Sequence, residues 1–375
     1  MKTKSISLIY LFFIVLISWS CSENKSGTIQ LKANPSAKLN VNNTAIIVQL
    51  ESTSESMLSY ILKSNVDLPG DRIFILSNFN IYIFTSSGKY LSKLKLGRGP
   101  GEITQIISFS LNTTKKLIYA IDNAIKLCVF DYDGNMINNY DIKDFSSCDL
   151  SILNDNDVIL LRNYVGGEEK YFVGVYNLQT RSIVKRFIAS EKSPYPKNTI
   201  IVANNFMKYK ENVYFYTPNV FGIFKYKNSD FQQILSIDMG EKSVPSSLSN
   251  KYENQNHCEL RKEAKSRHYV PFILLAVPFK DHFFIVADDD DMNCYAINMN
   301  SREIYNNGTL ASYFNLPDKS SLKLPCGIQD NLIIFQCTPT DFFGSKSNGN
   351  IMEVQIANHK VSIRQDDNPF LIIVQ

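Results

Sequence analysis

Tryptophan is almost missing from this sequence: the only one is Trp19, set against 20 tyrosines and 24 phenylalanines. Trp-Asp repeats are thereby excluded, and so is a sugar-binding platform built from indole rings. Histidine is nearly as scarce. The four residues, His257, His268, His282 and His359, stand far apart, and no Ser-His-Asp, Cys-His or metal triad can be assembled from them. The seven cysteines contain no C-x-x-C spacing, which argues against a zinc cluster. Charge is close to balanced, 39 Lys and Arg against 36 Asp and Glu, and Lys2 and Lys4 of that positive set fall in the first twenty residues. Such a surface offers no net attraction for nucleic acid. Beyond residue 20 no apolar stretch is long enough to cross a bilayer as a helix.

The chain opens with MKTKSISLIYLFFIVLISWS, two lysines ahead of an apolar run over 6–16 that is too short to span a membrane. This composition is that of a signal peptide over residues 1–20. Ser18 and Ser20 lead into Cys21, and the pattern resembles a lipobox, at which the leader is removed and the cysteine becomes the lipid-bearing first residue. Residues 21–40 are rich in Ser, Asn and Lys and are expected to form a flexible tether. The remainder, 41–375, is expected to be one domain.

A repeat specifies what that domain is. Six apolar strands, β-branched or aromatic, recur at 72–76 (RIFIL), 117–121 (LIYAI), 157–161 (DVILL), 212–216 (NVYFY), 283–287 (FFIVA) and 331–335 (NLIIF). Each is followed by a hairpin whose turn carries Gly, Asn, Asp or Ser, residues that tolerate the positive φ of tight reversals; Asp133-Gly134 is the plainest. The residues before the turns, Phe84, Phe130, Tyr176, Tyr226, Ile297 and Ile356, are spaced by 46, 46, 50, 71 and 59. Weaker apolar runs precede each trio, giving four strands per unit. Units of this length and content are propeller blades, so the pattern predicts an all-β, six-bladed β-propeller of four-stranded antiparallel blades, with a helical insertion between blades 4 and 5. The terminal segments AIIVQL (45–50) and FLIIV (370–374) are left over, and at least one is expected to close the ring by completing the last blade.

The segments VQLES, RIFIL, IYIFTSSGKYLSKLKLGRGPGEI and FDYDGN, with the ending DDNPFLIIV, resemble the six-bladed propeller lipoproteins of Bacteroidota, relatives of NHL-type propellers. The resemblance covers nearly the whole chain after the leader. It implies the propeller fold and an outer-membrane lipoprotein facing the periplasm or the cell surface, and it brings no reaction with it.

Antiparallel four-stranded blades send the links between second and third strands, and those between blades, to one end. Sorted by that rule, the long segments 97–102, 164–170, 190–198, 241–271, 288–291 and 338–350 share a face, and only tight turns occupy the other. Long loops gathered on a rigid scaffold mark that face as the expected binding surface. Its candidate contact residues are Arg98 and Glu102 in GRGPGE, Glu168 and Glu169, and the basic group His257, Arg261, Arg267 and His268 of the insertion 246–267. Asp288, Asp289, Asp290 and Asp291 offer oxygen ligands for calcium, although an EF-hand spacing is absent. Two functions compete. One is a non-catalytic binding or scaffold lipoprotein, membrane-bound by its lipid, that engages a glycan, a peptide or a partner protein such as an outer-membrane transporter component. The other is a propeller lyase or hydrolase with a carboxylate and cation site at the channel mouth.

Overall fold

In the computed structural model the described residues are 27–31, 38–97, 99, 101–162, 170–189, 204–218, 220–252, 257–343, 351–356 and 359–375. Cys21, Arg98, Glu168 and Glu169 lie outside them, as does the side chain of His257.

Six four-stranded antiparallel blades follow one another along the chain. Blade 1 comprises Lys63–Asp67, Arg72–Ser77, Asn80–Phe84 and Tyr90–Lys93; blade 2, Ile106–Asn112, Leu117–Asp122, Lys126–Asp131 and Met136–Asp141. Blade 3 comprises Asp149–Ile152, Asp157–Leu161, Tyr171–Asn177 and Ser182–Ala189; blade 4, Phe206–Tyr209, Asn212–Thr217, Val220–Lys227 and Asp230–Asp238. Blade 5 comprises Ile273–Phe279, His282–Ala287, Cys294–Asn298 and Ile304–Asn306. The six-bladed propeller is therefore the fold of this chain. The second and third strands are buried on both faces because neighbouring blades cover them, which is why they read as continuous apolar runs.

Blade 6 departs from the repeat as read in sequence. Its order is Gly327–Gln329, Leu332–Cys337, Phe370–Val374 and Ala45–Val48, so both leftover segments join it, and the N-terminal strand closes the ring. The hairpin Met352–Ile356 and His359–Ile363, expected to supply blade strands, forms a separate two-stranded sheet. Burial accounts for the exchange. The hairpin alternates exposed and buried residues, with Glu353, Gln355, Lys360 and Ser362 facing outward, whereas all five residues of FLIIV are buried. Only the latter suits a strand covered on both faces.

Within the expected tether, Gly27–Gln30 adds a fifth, parallel strand to the outer edge of blade 4, pairing Gly27 with Leu235 and Gln30 with Asp238. Among the described residues no disulfide forms; Cys128, Cys148, Cys294, Cys326 and Cys337 are buried thiols. Burial pushes the Cys128, Cys326 and Cys337 thiols up to about 12, which leaves them inert as nucleophiles. No helix among the described residues is long and apolar enough to cross a membrane.

The arrangement of blade 6 sets a contrast between two isoleucines. Ile372 is fully buried and pairs with both Phe335 and Ile47, while Ile46 on the closing strand is 39% exposed. Ile372→Ala is expected to lower unfolding free energy by about 2–5 kcal/mol, and Ile46→Ala by less than about 0.5 kcal/mol. Urea denaturation of both variants checks this; similar losses would place Phe370–Val374 outside the blade core.

Candidate functional site

The insertion after blade 4 contains α1 (Ser246–Lys251) and α2 (His257–Ser266). Neither carries a broad apolar face, and the few apolar side chains present, Leu248, Tyr252, Leu260 and Ala264, pack with Phe272 into a small buried cluster of their own. So little apolar area holds a helix pair weakly, and charge does the rest. Asp288, at the end of the second strand of blade 5, has a fully buried carboxylate. Arg261 donates to it through two bonds, Nε to Oδ2 at 2.6 Å and Nη2 to Oδ1 at 2.8 Å. Lys265 adds a contact from Nζ to Oδ1 at 3.3 Å and a bond to the Asp289 carbonyl at 3.1 Å. The forked guanidinium matches the carboxylate plane, so the helix is fixed in orientation as well as position. The hydrogen bonds to Asp288 raise the Arg261 pKa above its ordinary value, against the opposing effect of burial.

The structure thus brings together Arg261, His268 and the acidic run, residues 20 to 30 apart in sequence. His268 Nδ1 lies 3.3 Å from Asp290 Oδ2, both groups exposed. Asp289 accepts from the backbone N–H and the side-chain amide of Asn293 at 2.9 and 2.8 Å. Asp288 and Asp289 are therefore committed to protein donors, and no group of three or more potential metal ligands occurs among the described residues. Arg267, just past the end of α2, pairs with Glu263 on that helix. Glu102 folds back on its loop, accepting from the Gly99 N–H at 2.7 Å. Its carboxylate also fills the space a Cβ would need at Gly97, so that glycine is there for the close approach of a side chain.

A second constellation went unread in the sequence, at the axis. Asp149 Oδ1 accepts from Lys63 Nζ at 2.8 Å, Ser108 Oγ at 2.6 Å and its own neighbour Leu150 N at 2.9 Å; Oδ2 accepts from Asn205 N at 3.0 Å. Lys63 also donates to Ser108 at 3.0 Å. The ion pair is nearly sealed from water, with side chains 7% and 2% exposed. The available signal was period-two alternation in the innermost strands: Lys63 and Asn65, Ser108 and Ser110, and Asp149 and Ser151 repeat polar side chains toward one side.

Removing Arg261 would leave the buried Asp288 carboxylate with Lys265 alone. Because the Arg261 side chain is 43% exposed and Lys265 remains, Arg261→Met is expected to cost about 1–3 kcal/mol, below the usual penalty for breaking a buried pair. The variant should melt earlier and be cut faster by protease within residues 246–272. An unchanged melting point and cleavage rate would mean the insertion is held by something else.

No curated protein matches this chain. Among solved structures, a protein of Bacteroides fragilis assigned as exported superposes with a TM-score of 0.71 at 18% identity, over 93% of this chain and 99% of that one. A member of the DUF4221 family from Bacteroides vulgatus gives a TM-score of 0.54 at 9% identity, over 92% of this chain and 99% of its own. At these identities the likeness is one of fold. The profile described as Domain of unknown function (DUF4934) matches residues 31–375, nearly the whole propeller with its closing strand, and the chain belongs to that family.

Proposed function

We propose that this chain is a non-catalytic binding lipoprotein, anchored at the outer membrane through a lipid on Cys21 and engaging a partner through the face that carries the insertion. The partner is a glycan, a peptide or a protein, an outer-membrane transporter component among them. The carrying observation is the lock of α2 onto blade 5 by Asp288, Arg261 and Lys265. It spends on structure the carboxylate and cations that acid–base chemistry would need, and it holds a charged surface still. Lys262, Arg267, His268 and Asp290 stand exposed on that surface. A fixed array of charges is suited to recognition, since little ordering entropy is lost on contact. Export is supported by the leader and by the exported assignment of the Bacteroides fragilis protein of the same fold.

Two measurements in cells test this reading. The chain should sediment with outer membranes, and Cys21→Ala should release it to the soluble fraction; sedimentation unaffected by the change would remove the anchor. A photo-crosslinking residue at position 262 or 267 should give a dominant adduct, and one at position 133 on the tight-turn face should not. Adducts at 133 alone would overturn the assignment of the face.

A further inference from the structure

The innermost strands enclose an axial cavity of about 310 Å³ that opens on the tight-turn face, opposite the insertion. Lys63, the partner of Asp149, lines it, and its rim includes the turns at Thr113, Asp155 and Asp330. Blade 5 contributes nothing to the wall: its innermost strand, ILLAVPF, is apolar and wholly buried, and the innermost strands of blades 4 and 6 approach each other in front of it.

Most charges around this cavity are satisfied. Lys63 is paired with Asp149, and Asp155 with Lys115 at 2.9 Å. Two are not. Lys208, on the innermost strand of blade 4, and Asp330, on the first turn of blade 6, have no hydrogen-bond or ion-pair partner among the described residues. They are near enough for each to favour the other's charged form; Lys208 is half-buried, which lowers its pKa, whereas Asp330 stands exposed at the mouth. A lysine and an aspartate in one cavity that stop short of contact leave a gap with opposite ends. Asn204 supplies a further open valence: it is 3% exposed, lines the wall two alternations before Lys208, and its Nδ2 is buried without a partner. An unmet buried donor is rare enough in a folded protein to call for an explanation.

We propose that this cavity binds a small zwitterion of the free amino acid or short peptide class, carboxylate toward Lys208 and the Asn204 amide, ammonium toward Asp330. A neutral sugar would leave both charges unmatched, and a simple anion would meet Asp330. The volume lies at the bottom of the range for ligand pockets, about 300–1,000 Å³, which fits one or two residues and excludes an oligosaccharide. The site is separate from the insertion face and does not depend on what binds there.

Calorimetric titration of the full-length mature chain in detergent tests the assignment, using dialanine, N-acetylalanine, alaninamide and glucose as probes. Dialanine should bind, and each one-ended analogue should bind about tenfold or more weakly, the usual worth of one charged hydrogen bond. Asp330→Asn should weaken dialanine and leave N-acetylalanine unchanged, whereas Lys208→Met should weaken both. Because neither charge is paired in the free protein, neither variant should melt earlier than the parent. Absence of dialanine binding to the folded chain, glucose binding as tightly as dialanine, or binding indifferent to Lys208→Met would each overturn the proposal. The analogue series decides on the unaltered chain even if a variant fails to fold.

Discussion

A single buried carboxylate ties the propeller together at its axis. Asp149 of blade 3 receives an ammonium from blade 1, a hydroxyl from blade 2 and a backbone N–H from the start of blade 4. Closing blades into a ring forces their innermost strands together, and these strands carry polar side chains that lose water in the process. Such groups are expensive to bury unless each finds a partner, and a network in which every member is satisfied turns that expense into orientation. Here four blades are oriented by two oxygen atoms. The molecule has two unlike ends: a cavity with a polar wall on one, and a charged helical insertion on the other.

The two ends are stiffened by different means. On the cavity side, hairpins with consecutive positive-φ residues, Lys210-Glu211 and Asn228-Ser229 in blade 4, turn within two residues and leave little to move. On the other side a long insertion is pinned by one buried aspartate to the sheet beneath it. Blade 5 serves both arrangements. Its apolar innermost strand retreats from the axis and narrows the cavity wall to five blades, while the end of its second strand presents Asp288 to α2.

Much of this is legible in the sequence. The repeat interval, the apolar second strands and turns such as Asp133-Gly134 are local signals, and they specify the blade number and the strand order within blades 1 to 5; the long segments 164–170, 190–198 and 338–350 lie wholly or largely outside the described residues. The few apolar residues of the insertion, Leu248, Tyr252 and Leu260, pack together with Phe272. The third strand of blade 6 departs from the hairpin pattern: MEVQI and HKVSI look like strands, and are, but their alternation marks a sheet covered on one side only. The axial residues are hidden for the opposite reason. Lys63, Ser108 and Asp149 interrupt largely apolar runs, and the polar residues two positions on, Asn65, Ser110 and Ser151, are the signal of a polar wall. The partnership of Arg261 with Asp288 had no local signature at all, since it depends on how a helix crosses a strand 27 residues further on.

If the axial carboxylate is what sets the ring, its tie to Lys63 must be energetically coupled and not merely close. A double-mutant cycle in urea with Lys63→Met, Asp149→Asn and the pair together measures this directly. Each single change strands a buried charge or its donors and should cost about 3–5 kcal/mol. The double variant should cost less than the sum by about 1–3 kcal/mol. Losses that simply add, within about 0.5 kcal/mol, would contradict the account.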